Sequence, residues 1–278
     1  MRINQCLQAA RQRGRAALIP YITAGDPDLH VTEDILHSLS EGGAEIIELG
    51  VPFSDPVADG PTLQAAAERA LAAGTTLSGI LEMVARVRQQ GLETPIVLFS
   101  YFNPLYRLSR VRQQSLTATL REAKTAGIDG LLLVDVPVGS LADTDNDNPF
   151  AAAKAAQLER IGLCAPSLSA QRLDQLRALN PEAIYAIARL GITGAQQHLD
   201  ADLIPRLQAL QQRVQAPVMV GFGVSKAEHV AALENHVAGI VCGSALVAHL
   251  ANHAPAQQAE AAYGFMRGLR GLRHTQAV

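Results

Sequence analysis

A single-domain (β/α)₈ TIM barrel is the fold class that the sequence predicts, and three observations carry it. Eight short apolar, β-branched runs recur along the chain. The runs are followed by turn residues and then by longer stretches with apolar residues at helical spacing, the mark of repeated βα units and a parallel sheet. The length of 278 residues also matches that of α/β barrels that fold as one unit. A doubly wound open sheet, the alternative, more often shows fewer strands.

The strand candidates are, in order, AALIPYI (16–22), AEIIEL (44–49), PIVLFS (95–100), GLLLV (130–134), IGLCA (161–165), AIYAIA (183–188), PVMVGF (217–222) and GIVCG (239–243). Between the first two lies 29–43, where Ile35, Leu36 and Leu39 fall on one helical face. Between the last two lies 224–236, which Ser225 is placed to open as an N-cap. After the fourth strand the polar, turn-rich stretch 139–149 reads as a mobile loop, leaving only 151–160 to reach the fifth. The polar ending 273–278 reads as a frayed tail. No linker divides residues 1–278, so one domain is expected.

Composition excludes several classes of function. With 48% apolar and 18% charged residues the chain has the means to build a core rather than stay disordered. A net charge of -3 and no basic block argue against nucleic-acid recognition. No window nears the roughly 18 apolar residues of a membrane span, and the opening MRINQCLQAARQRGR lacks the apolar core of a secretory signal, so a cytoplasmic protein is expected. Cys6, Cys164 and Cys242 are odd in number and far apart, which suggests reduced thiols, and the last two sit in apolar strands as small hydrophobes. None of the eight histidines pairs with acids at a metal spacing, so no metal is expected. A P-loop and an early strand–GxGxxG–helix are both missing, which counts against a nucleotide cofactor.

In this fold, chemistry sits where strands run into loops at the carboxyl face. Glu48 ends an apolar run there; partial burial would raise its pKa into a range useful for acid–base work. Pairing with an Arg, or hydration at the strand end, is the alternative. Next comes the stiff loop GVPFSDPVADGPT (50–62), whose Asp59 can hold a second carboxylate over the same site, while Asp55 before Pro56 fits ordinary turn chemistry better. Glycine corners at 190–194, 221–223 and 242–245, with a helix starting near Ser244, suit a phosphate-bearing substrate. Asp135 has two readings, a ligand contact or a brace for its own loop. Tyr21, Tyr101, Tyr185, Phe99 and Phe222 fall at strand ends, as pocket lining or as core filler.

The block ELGVPFSDPVADGPT (48–62), with PYITAGDPD (20–28), SYFNP (100–104), DVP (135–137), GITGA (191–195), GFGVS (221–225) and GSAL (243–246), closely resembles the tryptophan synthase α-subunit family over nearly the whole chain. That resemblance implies a (β/α)₈ barrel that cleaves indole-3-glycerol phosphate to indole and glyceraldehyde 3-phosphate by a retro-aldol reaction. It also implies a β-subunit partner that carries pyridoxal phosphate and takes the indole. By the same resemblance Glu48 is the acid–base carboxylate and Asp59 the group that accepts the indole N–H. Gly194, Gly223, Gly243 and Ser244 become phosphate contacts, and Tyr185 a polar group near the glycerol phosphate. Tyr21, Phe99, Tyr101 and Val134 become the indole pocket, and Thr193 a mobile-loop residue that positions Asp59. Two positioned carboxylates suffice for such a cleavage, so the α-type reaction calls for no cofactor of its own.

The chain departs from the family pattern at Ala188 before Arg189, at Leu190, at 105–115 and at 139–149. These departures bear on loop closure and on the β partner more than on the chemistry. Two other readings remain open to the sequence: a lyase that works alone and releases free indole, and a non-catalytic binding or activating subunit.

Overall fold

The computed structural model describes residues 1–136, 148–188, 202–221 and 223–272. In chain order the elements are α1 (Arg2–Gln12), β1 (Ala17–Thr23), α2 (Leu29–Glu41), β2 (Ile47–Gly50), α3 (Pro61–Ala72), α4 (Leu77–Gln89), β3 (Ile96–Ser100), α5 (Phe102–Val111), α6 (Leu116–Ala126) and β4 (Gly130–Leu133). There follow α7 (Pro149–Ala155), β5 (Glu159–Cys164), α8 (Ala170–Ala178), β6 (Ala183–Ile187), α9 (Leu203–Arg213), β7 (Val218–Gly221), α10 (Ala227–Leu233), β8 (Gly239–Cys242), α11 (Ser244–Ala251) and α12 (Gln258–Leu269). The strands pair in sequence order, all parallel, and β8 closes on β1. The (β/α)₈ barrel expected from the apolar runs is the fold.

Local chemistry sets many of the boundaries. Asp28 caps α2, its Oδ1 accepting from the N–H groups of His30 and Val31 at 2.8 and 2.9 Å. Thr76, Ser115 and Ser169 cap α4, α6 and α8 in the same manner. Pro61 opens α3, where a missing N–H costs nothing, and Gly127 ends α6 at a φ of 110°. Of the loop 139–149, Asn148 and Pro149 belong to the start of α7, as cap and first residue; the rest lies outside the described residues, as does the tail 273–278.

Alternate positions of each strand serve two separate cores, as the two-residue period requires. Leu18, Ile22, Ile47, Leu49, Leu98 and Ile240 pack outward against the helices. Ala17, Ile19, Tyr21, Val97, Leu132 and Met219 fill the interior, which Ile3 and Leu7 of α1 plug from below. Glu159 at the start of β5 holds that plug, its carboxylate accepting from the backbone N–H groups of Ile3 and Asn4 at 2.9 Å each.

Two expectations are corrected. The second strand starts at Ile47 rather than at 44, because Glu45 is drawn to the barrel floor, where its carboxylate accepts from Leu18 N at 2.7 Å and pairs with Arg270 and Arg15. Ser225 is not the cap of α10: Lys226 occupies that position, without a side-chain cap, and the Ser225 N–H instead donates to Nδ1 of His229 at 3.3 Å. The helix expected over 224–236 is correspondingly shorter, Ala227–Leu233.

Candidate active site

The register of β2 decides which way its one acid points. Ile47 and Leu49 face the helices, so Glu48 faces inward, level with Tyr21 on β1 and Val97 on β3, both interior residues. A cavity of about 280 Å³ opens at the carboxyl end of the strands, and Glu48 and Asp59 both line it. Phe99, Val134, Tyr21 and Tyr185 contribute aromatic and apolar wall, and Gly223, Gly243 and Ser244 form another part of it. Nine of the residues singled out in the sequence thus meet in one space.

Glu48 is fully buried, and neither carboxylate oxygen has a hydrogen-bond partner among the described residues. Among the described residues no Arg pairs with it, and the side chain is not exposed at the strand end. Burial alone pushes its pKa up to about 8, so the side chain carries a proton at neutral pH. Asp59 comes from the loop after β2 and is nearly as buried. Desolvation raises its pKa to about 6, against the opposing effect of a hydrogen bond from Tyr101. One acid is thus held mainly protonated and the other mainly ionised at pH 7, by environment rather than by residue type.

Tyr101 does not line the cavity. It stands behind the wall, donating its hydroxyl to Asp59 Oδ2 at 3.0 Å and accepting from the Ala58 N–H at 2.9 Å, so it fixes the loop that carries the acid. Phe53 of the same loop packs on the Tyr101 ring at 5.1 Å. Asp55 is exposed. Asp135 lies outside the cavity and accepts from the Phe102 N–H at 2.8 Å, bracing the start of α5. Thr193, Gly194 and Phe222, with Arg189 and Leu190, lie outside the described residues.

At the glycine-lined end, α11 begins at Ser244 directly after β8, so its N-terminal N–H groups and dipole point at the cavity mouth. Gly223 follows β7 with a φ of 30°. Gly221 has a different duty: a Cβ there would lie 1.9 Å from the Tyr185 hydroxyl, so only glycine lets that phenol take its place. Burial holds the Tyr185 hydroxyl protonated, with Glu48 and Asp59 adding to the effect.

The sequence reading missed Leu63, Leu163, Pro166, Ile187 and Val241 on the wall. The strand residues among them could have been found by extending the inward two-residue alternation from Ile161 to Leu163 and from Tyr185 to Ile187. Leu63, from α3, and Pro166, from a loop, carry no such signal. Among the described residues no three His, Cys, Asp or Glu side chains are grouped to hold a metal ion. Cys164 and Cys242 are buried with pKa values pushed up by desolvation, and the Cys242 thiol donates to the Val224 carbonyl at 2.7 Å.

Fold and cavity place the chain among the (β/α)₈-barrel enzymes that do acid–base chemistry at the carboxyl end of their strands. The family model described as tryptophan synthase alpha chain matches residues 7–270, and the chain belongs to that family. It is 42% identical over 271 residues to the tryptophan synthase alpha chain of Xanthomonas euvesicatoria pv. vesicatoria, covering 97% of each chain. To that of Solibacter usitatus it is 40% identical over 246 residues, covering 88% of each. Among solved structures, the tryptophan synthase alpha subunit of Legionella pneumophila superposes with a TM-score of 0.81 at 30% identity, with 97% of each chain covered. A mutant alpha-subunit from Pyrococcus furiosus gives 0.80 at 35% identity, covering 92% of this chain and 98% of that one.

Proposed function

We propose that the chain cleaves indole-3-glycerol phosphate to indole and glyceraldehyde 3-phosphate, as the α subunit of a tryptophan synthase in tryptophan biosynthesis. The observation that carries this reading is the pairing, in one cavity, of a buried acid near pKa 8, without a hydrogen-bond partner among the described residues, with a second acid near pKa 6.

The chemistry follows from those two states. A carbon–carbon bond to an indole ring breaks only if the ring carbon first takes a proton and the neighbouring alcohol then loses one. Glu48, protonated, gives its proton to indole C3. Asp59, ionised, accepts the ring N–H and stabilises the positive charge that protonation creates. The Glu48 carboxylate then removes the proton of the glycerol hydroxyl beside the ring. The carbonyl forms, the bond to C3 breaks, and its electron pair returns to the ring to give indole. Glu48 ends protonated, ready for another turn. Phe99, Val134 and Tyr21 hold the ring; Gly223, Gly243, Ser244 and the α11 N-terminus hold the phosphate, with Gly194 completing that set and Thr193 bearing on Asp59. Tyr185 stands near the glycerol chain.

Tryptophan synthesis requires the indole to be consumed, and a β subunit that bears pyridoxal phosphate is the partner this reading assigns. No observation favours a lyase acting alone, and a non-catalytic role leaves the acid pair without a purpose. We place the reaction in the cytoplasm; no single helix among the described residues is long and apolar enough to cross a membrane. The test is an assay of purified protein with indole-3-glycerol phosphate, with and without a β subunit. Indole release that Glu48→Gln abolishes is the expected result; full turnover by that variant would refute the assignment.

A further inference from the structure

One wall of the cavity carries a polar group that the cleavage does not use. Tyr21 is 6% exposed, its ring set edge-on to Phe99 with centroids 5.0 Å apart at 76°. Its phenol oxygen rests over Gly50, where a Cβ would come within 2.2 Å of it, so the glycine makes the seat for the hydroxyl. Among the described residues that oxygen has one hydrogen-bond contact, Thr23 Oγ1 at 3.4 Å, long for an O–H···O bond. Burial and the charge of Asp59 keep the phenol neutral. A buried phenol can both donate and accept, so one long bond to Thr23 leaves it capacity for a group in the cavity that Tyr21 lines.

We propose that Tyr21 is a specificity-determining residue whose hydroxyl bonds a polar substituent on the bicyclic ring, so that the site takes hydroxy-substituted indoles as well as indole. The physical logic is that of any site with a fixed polar group. A matching substituent gives the hydroxyl a second bond, whereas an apolar group of similar size at that ring position leaves it with the long contact to Thr23 alone. The inference rests on the proposed cleavage, since it takes the ring pocket from that reading.

The experiment runs the reaction backwards, condensing glyceraldehyde 3-phosphate with ring-hydroxylated indoles and with methylindoles substituted at the same positions. For wild type, at least one ring position shows a hydroxyl preferred over a methyl by about fivefold in kcat/KM, as one neutral hydrogen bond provides. In Tyr21→Phe that preference falls to about one. Thr23→Val, which removes the competing contact, retains it or increases it. Absence of the preference in wild type, its persistence in Tyr21→Phe, or its loss in Thr23→Val overturns the proposal. Failure of wild type to condense unsubstituted indole would instead refute the cleavage reading, so the two failures are distinct.

Discussion

The two ends of the barrel treat buried acids in opposite ways. At the floor, Asp129 accepts from Arg88 at 2.8 Å, Arg2 at 3.1 Å and the Ile96 N–H at 2.9 Å. Glu159 is met by two helix N–H groups, and Glu182 pairs with Arg160 at 3.0 Å. At the mouth, among the described residues, Glu48 has no such partner and Asp59 has one hydroxyl. A paired carboxylate staples strand to helix. An unpaired one weakens the fold and, for that reason, sits where its proton can be given away near neutral pH.

Exchanging the roles of the two ends should expose that contrast, and the largest effect is expected at Glu48. Glu48→Gln should lower kcat for indole release at least a thousandfold, with phosphate-ligand binding nearly unchanged. The same substitution should change stability in a definite direction. Because the folded pKa of about 8 lies above the ordinary 4.5, the folded chain keeps a proton that the unfolded chain has lost. Stability is therefore full below about pH 4.5 and declines as pH rises toward 8, by up to about 3 kcal/mol at pH 7. Urea titrations from pH 5 to 8 should show this decline in wild type and a much flatter profile in Glu48→Gln.

At the floor the expectation reverses. Asp129→Ala removes the carboxylate partner of Arg88 and the acceptor of the Ile96 N–H, and should cost about 3 kcal/mol of stability in urea unfolding while leaving kcat within a few-fold in the folded protein. A larger loss of turnover than of stability would mean that the ends are not separable. Asp59→Asn should reduce kcat/KM about a hundredfold. In wild type the pH profile of kcat/KM should be bell-shaped, its acid limb near pH 6 from Asp59 and its alkaline limb near pH 8 from Glu48. In Asp59→Asn the acid limb should disappear. The smallest effect belongs to Tyr101→Phe: without the hydrogen bond that favours the ionised carboxylate, the acid limb should move to higher pH, with a rate loss of about tenfold or less from the loosened loop.

The floor was largely invisible in the sequence, whereas much of the mouth was legible. Asp59 and the glycines stand out because a stiff acidic loop and clustered glycines are rare in short segments. Asp129, Glu159 and Glu45 each precede or open an apolar run and look like ordinary polar residues at strand starts. Their partners lie far away in the chain, 127 residues for Arg2 and Asp129 and 225 for Glu45 and Arg270. The position of Tyr101 behind the wall, and of Ser225 bonded through its backbone rather than its side chain, were equally non-local.

By itself the sequence determined eight strands, their parallel order and the two acids at one end of them, because apolar runs broken by turns and helical spacing are local properties that burial in a barrel rewards. Only the tertiary structure decided that Glu48 faces inward, that none of the described residues neutralises it, and that Asp59 stands in the same cavity. One step in strand register inverts the first of these. The other two depend on which side chains reach a buried oxygen across the closed sheet, and that distance is fixed by packing rather than by order along the chain.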